Sequence, residues 1–202
     1  RTEVRQATQT EVRPNLGSQT LKVRLYERGA LPAQRKAHNL CAHQKHVAYI
    51  GGIGAGKTRF GVAQVLSYCL TQPYSLQGII CAVSFPMLWS AVWPQLRAQL
   101  DFVQEQLPGF VWLLRKADSV LEFCYNGHVY TVFLVHAQNA DRVRGINAAF
   151  IYLDEAALIT REAYRVLRGR LRGWPNLRMW VTSTPKGKRH WLWDYCQREA
   201  KA

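Results

Sequence analysis

Gly51-Gly52-Ile53-Gly54-Ala55-Gly56-Lys57-Thr58 has the residue types and order needed to wrap a chain of phosphates. Glycines at 51, 54 and 56 permit backbone angles that turn successive N–H groups inward, and Lys57 places an ammonium on the outer phosphates. Thr58 offers a hydroxyl to magnesium. The eight residues are the expected contacts of a nucleoside triphosphate with its magnesium.

A second constellation lies at Phe150-Ile151-Tyr152-Leu153-Asp154-Glu155-Ala156-Ala157. An apolar strand that ends in an acid suits the same ligand: Asp154 is expected to join Thr58 in the magnesium shell. Glu155 then falls beside the γ-phosphate, where a carboxylate orients and polarises an attacking water. That favours hydrolysis over transfer to a bound acceptor. A third segment, Leu177 to Val181, runs into Thr182-Ser183-Thr184-Pro185. The Thr182 and Thr184 hydroxyls are expected near the nucleotide, sensing the γ-phosphate and relaying its presence to the next helix.

The elements that must position these groups are legible in the apolar periodicity. His46 to Ile50 reads as a buried strand ahead of the glycine loop. Arg59 to Leu70 reads as the helix behind it, with Val62, Ala63, Leu66, Cys69 and Leu70 on one face. Pro32 to Ala42 is a predicted helix and Gly78 to Val83 a strand. Ser84 is placed to cap a helix from Phe85 to Gln106 that Pro94 should kink or split. Strands follow at Phe110 to Leu114, Val120 to Cys124 and Val129 to Leu134, the last two joined at Asn126-Gly127, a hairpin signal. Phe150 to Leu153 and Leu177 to Val181 complete the strands; Arg161 to Leu171 and Lys188 to Ala200 complete the helices. This alternation predicts an α/β fold with a mainly parallel doubly wound sheet flanked by helices and carrying a β-hairpin; the glycine loop together with Asp154-Glu155 makes it a P-loop NTPase of the ASCE type. Residues 1–30 are expected to form an extended or mobile arm, with a short strand at LKVRLY (21–26), and residues 31–202 one ATPase domain.

With 202 residues, 48% of them apolar and 11% aromatic, the chain fits one α/β domain with a sizeable core. It has no apolar run of about twenty residues to span a bilayer and a polar, unsignal-like start, so a soluble, intracellular protein is expected. Five scattered cysteines without a CxxC pair point to reduced, buried thiols. His38, Cys41, His43 and His46 straddle a helix end and a buried strand, a poor arrangement for converging on a metal. Lys plus Arg exceed Asp plus Glu by 27 to 13, a formal charge of +14 that favours a polyanion such as nucleic acid. Arg165, Arg168 and Arg172 are expected to line one outer stripe of their helix. With Lys186, Lys188 and Arg189 they are candidates for sequence-independent DNA contacts, beside the simpler reading of a solvated face.

LPAQ at 31–34, YIGGIGAGKT, VRGINAAFIYLDEAA and VTSTPKGKRHWLWDY occur in the order of a known family. From Leu31 to Tyr195 the chain resembles the N-terminal packaging ATPase domain of tailed-bacteriophage large terminase subunits. The resemblance implies a motor that assembles as a homo-oligomeric ring on the portal protein and works with a small terminase subunit. Such a motor hydrolyses ATP to drive double-stranded DNA into a procapsid, to which it docks transiently in the host cytoplasm. It also implies that Gln34 contacts adenine, Lys57 and Thr58 the phosphates and magnesium, and Asp154 the metal shell. Glu155 is then the catalytic glutamate, and Thr182 to Thr184 the coupling motif.

Several terminases carry an arginine inside the phosphate loop, where this chain has Ile53 and Ala55. Arg144, next to Gly145, is the first candidate for an arginine finger and Arg142 the second, reaching a neighbouring subunit's nucleotide. After Val181 only Asp194 and Glu199 remain as carboxylates, so the family's nuclease chemistry is expected only in a longer parent protein. Two other functions fit parts of the pattern. A helicase-like or remodelling nucleic-acid-dependent ATPase would need a second RecA-like domain, and a non-hydrolysing, nucleotide-gated assembly module would have no use for Glu155.

Overall fold

A computed structural model describes residues 30–200. The expected arm, with its strand at 21–26, falls on residues outside those described, apart from Ala30, which is buried. Seven strands form one sheet: β1 (His46–Ile50), β2 (Leu76–Ala82), β3 (Val111–Arg115), β4 (Val120–Tyr125), β5 (His128–His136), β6 (Phe150–Leu153) and β7 (Arg178–Ser183). Their order is β1-β7-β6-β2-β5-β4-β3. The first five are parallel, while β5, β4 and β3 form an antiparallel meander at one edge.

All four residues of β6 are buried, as are five consecutive residues of β2, because helices cover both faces of the parallel part. One core, with Phe60, Leu66, Leu96, Tyr152 and Trp180, lies under α1 (Pro32–His43), α2 (Lys57–Leu70) and α4 (Trp93–Gln106). The opposite core, with Ile79, Ile151, Leu167, Met179 and Val181, lies under α5 (Arg161–Arg168) and α6 (Trp191–Arg198). The hairpin turns at Asn126 (φ 50°) and Gly127 (φ 78°), two left-handed residues whose twist matches that of the flanking strands.

Three helices differ from expectation. The long helix from Phe85 is broken into α3 (Phe85–Met87), a π-helical turn at Leu88–Val92, and α4. Pro94 has no N–H to give the carbonyl of Ser90 and its ring crowds that carbonyl, and the backbone answers with a wider turn in which the Trp93 N–H donates to Leu88 O. Helix α5 stops at Arg168, short of Leu171, because the chain turns at Gly169 and Leu171 forms an isolated parallel bridge with Ala148. Arg172 is therefore off the helix, and the expected three-arginine helical stripe is reduced to Arg165 and Arg168. Helix α6 begins at Trp191 rather than Lys188: Gly187 adopts φ 87°, and His190 caps the helix by accepting from the Leu192 N–H.

Candidate nucleotide site

Strand β1 delivers the chain to the carboxyl end of the sheet, where the Gly51 N–H donates to Ser183 O on β7 (3.0 Å). Gly54 and Gly56 then take left-handed angles (φ 77° and 69°) and α2 starts at once with Lys57. Two side chains brace the loop from behind. Tyr49 donates its hydroxyl to Ala55 O (2.9 Å), and Gln34 donates Nε2 to Gly56 O (2.8 Å) while its Oε1 accepts from the Leu31 N–H (2.8 Å). Gly56 is required for its φ, and a Cβ there, 2.3 Å from that Nε2, would also push the Gln34 amide aside.

The acidic pair stands opposite. Thr58 donates Oγ1 to Asp154 Oδ1 (3.1 Å) across 96 positions of sequence, and Lys57 Nζ lies 3.6 Å from Glu155 Oε1 while donating to Gly52 O (2.8 Å). Asp154 Oδ1 also accepts from the hydroxyls of Tyr152 (2.6 Å) and Thr182 (2.8 Å). Glu155 Oε2 accepts from the backbone N–H (3.2 Å) and Oγ1 (3.3 Å) of Thr184. Glu155 is held at φ 48°, ψ 50°, a left-handed conformation uncommon for a glutamate. Ser183 Oγ accepts from the Ala157 N–H (2.9 Å), which ties the end of β7 to the turn after β6.

Burial pushes the Asp154 carboxyl above its ordinary range, opposed by its bonds from Tyr152, Thr182 and Thr58; the Glu155 charge beside it pushes the same way as burial. Burial likewise drives the Tyr152 phenol well up, so that it stays protonated and a donor. The site is thus a buried, oxygen-rich recess in which, among the described residues, no cation forms an ion pair with Asp154. A cleft of about 660 Å3 opens over it, bounded by Lys57, Thr58 and Glu155 on one side and by Ser90, Pro94 and Gln95 on the other.

Gly51 to Thr58, Gln34, Asp154, Glu155, Thr182 and Thr184 are therefore brought together, although Thr182 and Thr184 reach the acidic pair rather than the loop. Sequence reasoning missed Tyr49, Tyr152, Ser90 and Gln95. Tyr152 was signalled by its place two residues before Asp154, on the same strand face. The π-helical turn that presents Ser90 to the cleft was signalled only by Pro94.

The remaining candidates lie elsewhere. Arg144 is exposed, donates to Asp141 Oδ1 (2.8 Å), and its carbonyl accepts from Arg170 beside the residues leading into the amino end of β6. Arg142 is exposed in the same segment. Arg168 pairs with Glu199 (2.9 Å) and Arg172 donates to Asn147 Oδ1 (2.6 Å). Arg165 and Arg168 border a small basic cleft with Lys45 and His46. Lys186, Lys188 and Arg189 are exposed between β7 and α6, Lys188 standing over the Trp193 ring. Lys186 and Lys188 also edge a mainly apolar groove of about 390 Å3 between α1 and α6, which contains no residue of the glycine loop.

The large terminase of a thermophilic bacteriophage is similar in fold, at 19% identity over 83% of this chain and 43% of that one, with a TM-score of 0.71. The large terminase ATPase domain of Thermus phage P74-26 matches at 21% identity over 81% of this chain and 68% of that one (TM-score 0.63). The large terminase of bacteriophage HK97 matches at 14% identity over 84% and 37% (TM-score 0.64). The chain thus spans less than half the length of the first and third of these proteins. No curated protein matches it. The family model for the terminase large subunit, T4likevirus-type, N-terminal, matches residues 48–201, and with the loop, the acidic pair and the intervening β7 in this arrangement the chain belongs to that family.

Proposed function

We propose that this chain is the ATP-hydrolysing motor domain, residues 31–202, of a viral DNA-packaging terminase. The observation that carries the reading is the meeting of Thr58 with Asp154 and of Lys57 with Glu155 at one end of the sheet. The first of the similar large terminases above is known in complex with ADP and with ATP-gamma-S, which supports the same ligand class here.

In this reading the loop amides and Lys57 hold the β- and γ-phosphates, and Gln34, whose amide here is bonded to Gly56 O and the Leu31 N–H, is the residue that the family resemblance gives to the adenine. Thr58 and Asp154 fit Mg2+, since both offer hard oxygen donors and Asp154 is a buried carboxylate in want of positive charge. Bound there, Mg2+ would supply positive charge against the phosphates. Glu155, gripped by Thr184, orients and polarises the attacking water. Thr182 and Thr184, tied to the two acids, carry the change at the γ-phosphate toward the segment before α6. Arg144, or Arg142, serves as a finger toward a neighbouring subunit's nucleotide, because its own subunit places it away from the glycine loop.

The wider machine follows from the family. The domain would act in a homo-oligomeric ring with a portal protein and a small terminase subunit, docked on a procapsid in the host cytoplasm. DNA cleavage would belong to a nuclease domain of a longer parent. Arg165, Arg168, Arg172, Lys186, Lys188 and Arg189 would meet the DNA backbone without reading sequence. Phosphate release tests the core of the proposal: the unmodified protein turns over ATP and Glu155→Gln abolishes turnover. Undiminished release by Glu155→Gln removes that residue as the catalyst and the reading with it.

A further inference from the structure

The geometry points to Tyr152 as a positioning residue that locks the rotation of the Asp154 carboxylate and leaves Oδ2 as the oxygen presented to a divalent cation. This inference rests on the nucleotide-site reading above. Tyr152 is fully buried, two residues before Asp154 on the same face of β6, and its hydroxyl donates to Oδ1 at 2.6 Å. Thr182, on the adjacent strand, donates to the same oxygen at 2.8 Å. Two donors on Oδ1 from inside the protein fix the plane of the carboxylate, while Oδ2 has only the 3.4 Å approach of Thr58 Oγ1. Thr58 Oγ1 lies nearer Oδ1 as well (3.1 Å), so Oδ1 is crowded with donors and Oδ2 is the oxygen with capacity left for a cation.

The surroundings make the tyrosine immobile. Its ring stacks on Trp180 (centroids 6.1 Å apart, 17° between planes), and that indole donates Nε1 to Gly61 O (3.1 Å) on α2. Gly61 supplies the space: a Cβ there would fall 2.0 Å from Tyr152 Cζ and 2.2 Å from its hydroxyl. The helix that begins at the phosphate loop has therefore given up a side chain, in its buried interior, to admit a phenol that reaches the acid. An aliphatic residue would fill an apolar strand position without that cost, so the hydroxyl is the part that calls for a role.

Groups that hold a ligating carboxylate are worth about ten- to a hundredfold in metal affinity. Tyr152→Phe removes one oxygen and keeps the ring. Binding of a fluorescent, nonhydrolysable ATP analogue is measured against Mg2+ concentration, and again with EDTA. For Tyr152→Phe the Mg2+ midpoint is expected to rise about tenfold while binding in EDTA is unchanged. A merely structural role would weaken both alike or neither. An unchanged Mg2+ midpoint, or equal weakening with and without Mg2+, overturns the positioning role and leaves the nucleotide-site reading standing. Failure of the unmodified protein to bind the analogue at all overturns that reading, and this inference with it.

Discussion

Lys57 Nζ sits 3.6 Å from Glu155 Oε1 while donating to Gly52 O, so the ammonium meant for phosphate is already engaged by its own loop and by the glutamate. Lys57 is buried and Glu155 only partly exposed, which makes the pair less screened than a surface pair. A triphosphate must displace this arrangement and settle beside the glutamate's negative charge. Glu155→Gln removes the negative charge and the ion pair, and leaves only the Gly52 carbonyl holding Lys57. Its nucleotide affinity, read by calorimetry, should rise roughly fivefold, or about 1 kcal/mol, while hydrolysis is lost. Lys57→Ala should cost both binding and turnover, since its ammonium reaches inside the loop to Gly52 O.

The packing of Gly61 against Tyr152 sets two effects in opposition. Gly61→Ala gains about 1 kcal/mol of intrinsic helix propensity, but a methyl group 2.0 Å from a ring pinned by Trp180 overpacks the core, at about 1–3 kcal/mol. The overpacking wins, and the urea midpoint should fall. Adding Tyr152→Leu should recover part of the loss, because the smaller side chain withdraws from the glycine. A double variant no more stable than additive single losses would show that the two positions are not coupled.

Contiguous signals were the legible ones. The glycine loop, the apolar strand ending in Asp154-Glu155 and the hydroxyls after Val181 each sit within a few residues and announce both their chemistry and their element. The convergence of Thr58 with Asp154 followed from the topology of parallel strands, whose carboxyl ends share one side. Relationships between distant elements were not legible. Within its own strand Tyr152 is one more apolar residue; the room for its hydroxyl comes from Gly61, on a separate helix. The end of α5 depended on a bridge from Ala148 to Leu171, which no helical periodicity contains. Arg144 carried a suitable charge next to a glycine, but its carbonyl bond to Arg170 fixed its side of the sheet.

Of the arginines proposed to meet DNA, Arg168 is already paired with Glu199 and Arg172 with Asn147, whereas Arg165 makes no ion pair among the described residues. Arg165→Ala should therefore weaken DNA binding most among the three. Each lost phosphate contact should also reduce the slope of log affinity against log salt by about 1. Fluorescence anisotropy on two unrelated duplexes, at several salt concentrations, checks this. Equal weakening on both duplexes is expected, and unaltered affinity and slope would mark Arg165 as a solvated surface residue.

Two histidines give the fold a dependence on pH whose sign can be worked out. Burial lowers the His38 pKa below the ordinary 6.5, partly offset by its hydrogen bond with Gln64. Burial also lowers that of His46; Glu199 opposes this, while Lys45 and Arg168 add to it. In the unfolded chain each histidine takes up a proton as pH falls through about 6.5, whereas the folded chain resists until its own lower value is reached. Within that window the unfolded state binds more protons, so stability falls as pH falls and levels off below the folded values. The raised Asp154 carboxyl acts in the opposite sense, since there the folded state holds its proton longer. Comparing the unmodified protein with His38→Gln/His46→Gln cancels that contribution, because Asp154 is present in both. Thermal unfolding midpoints between about pH 5 and 7.5 should fall with acidification more steeply for the unmodified protein than for the double variant. Parallel curves would show that the histidines do not carry the dependence.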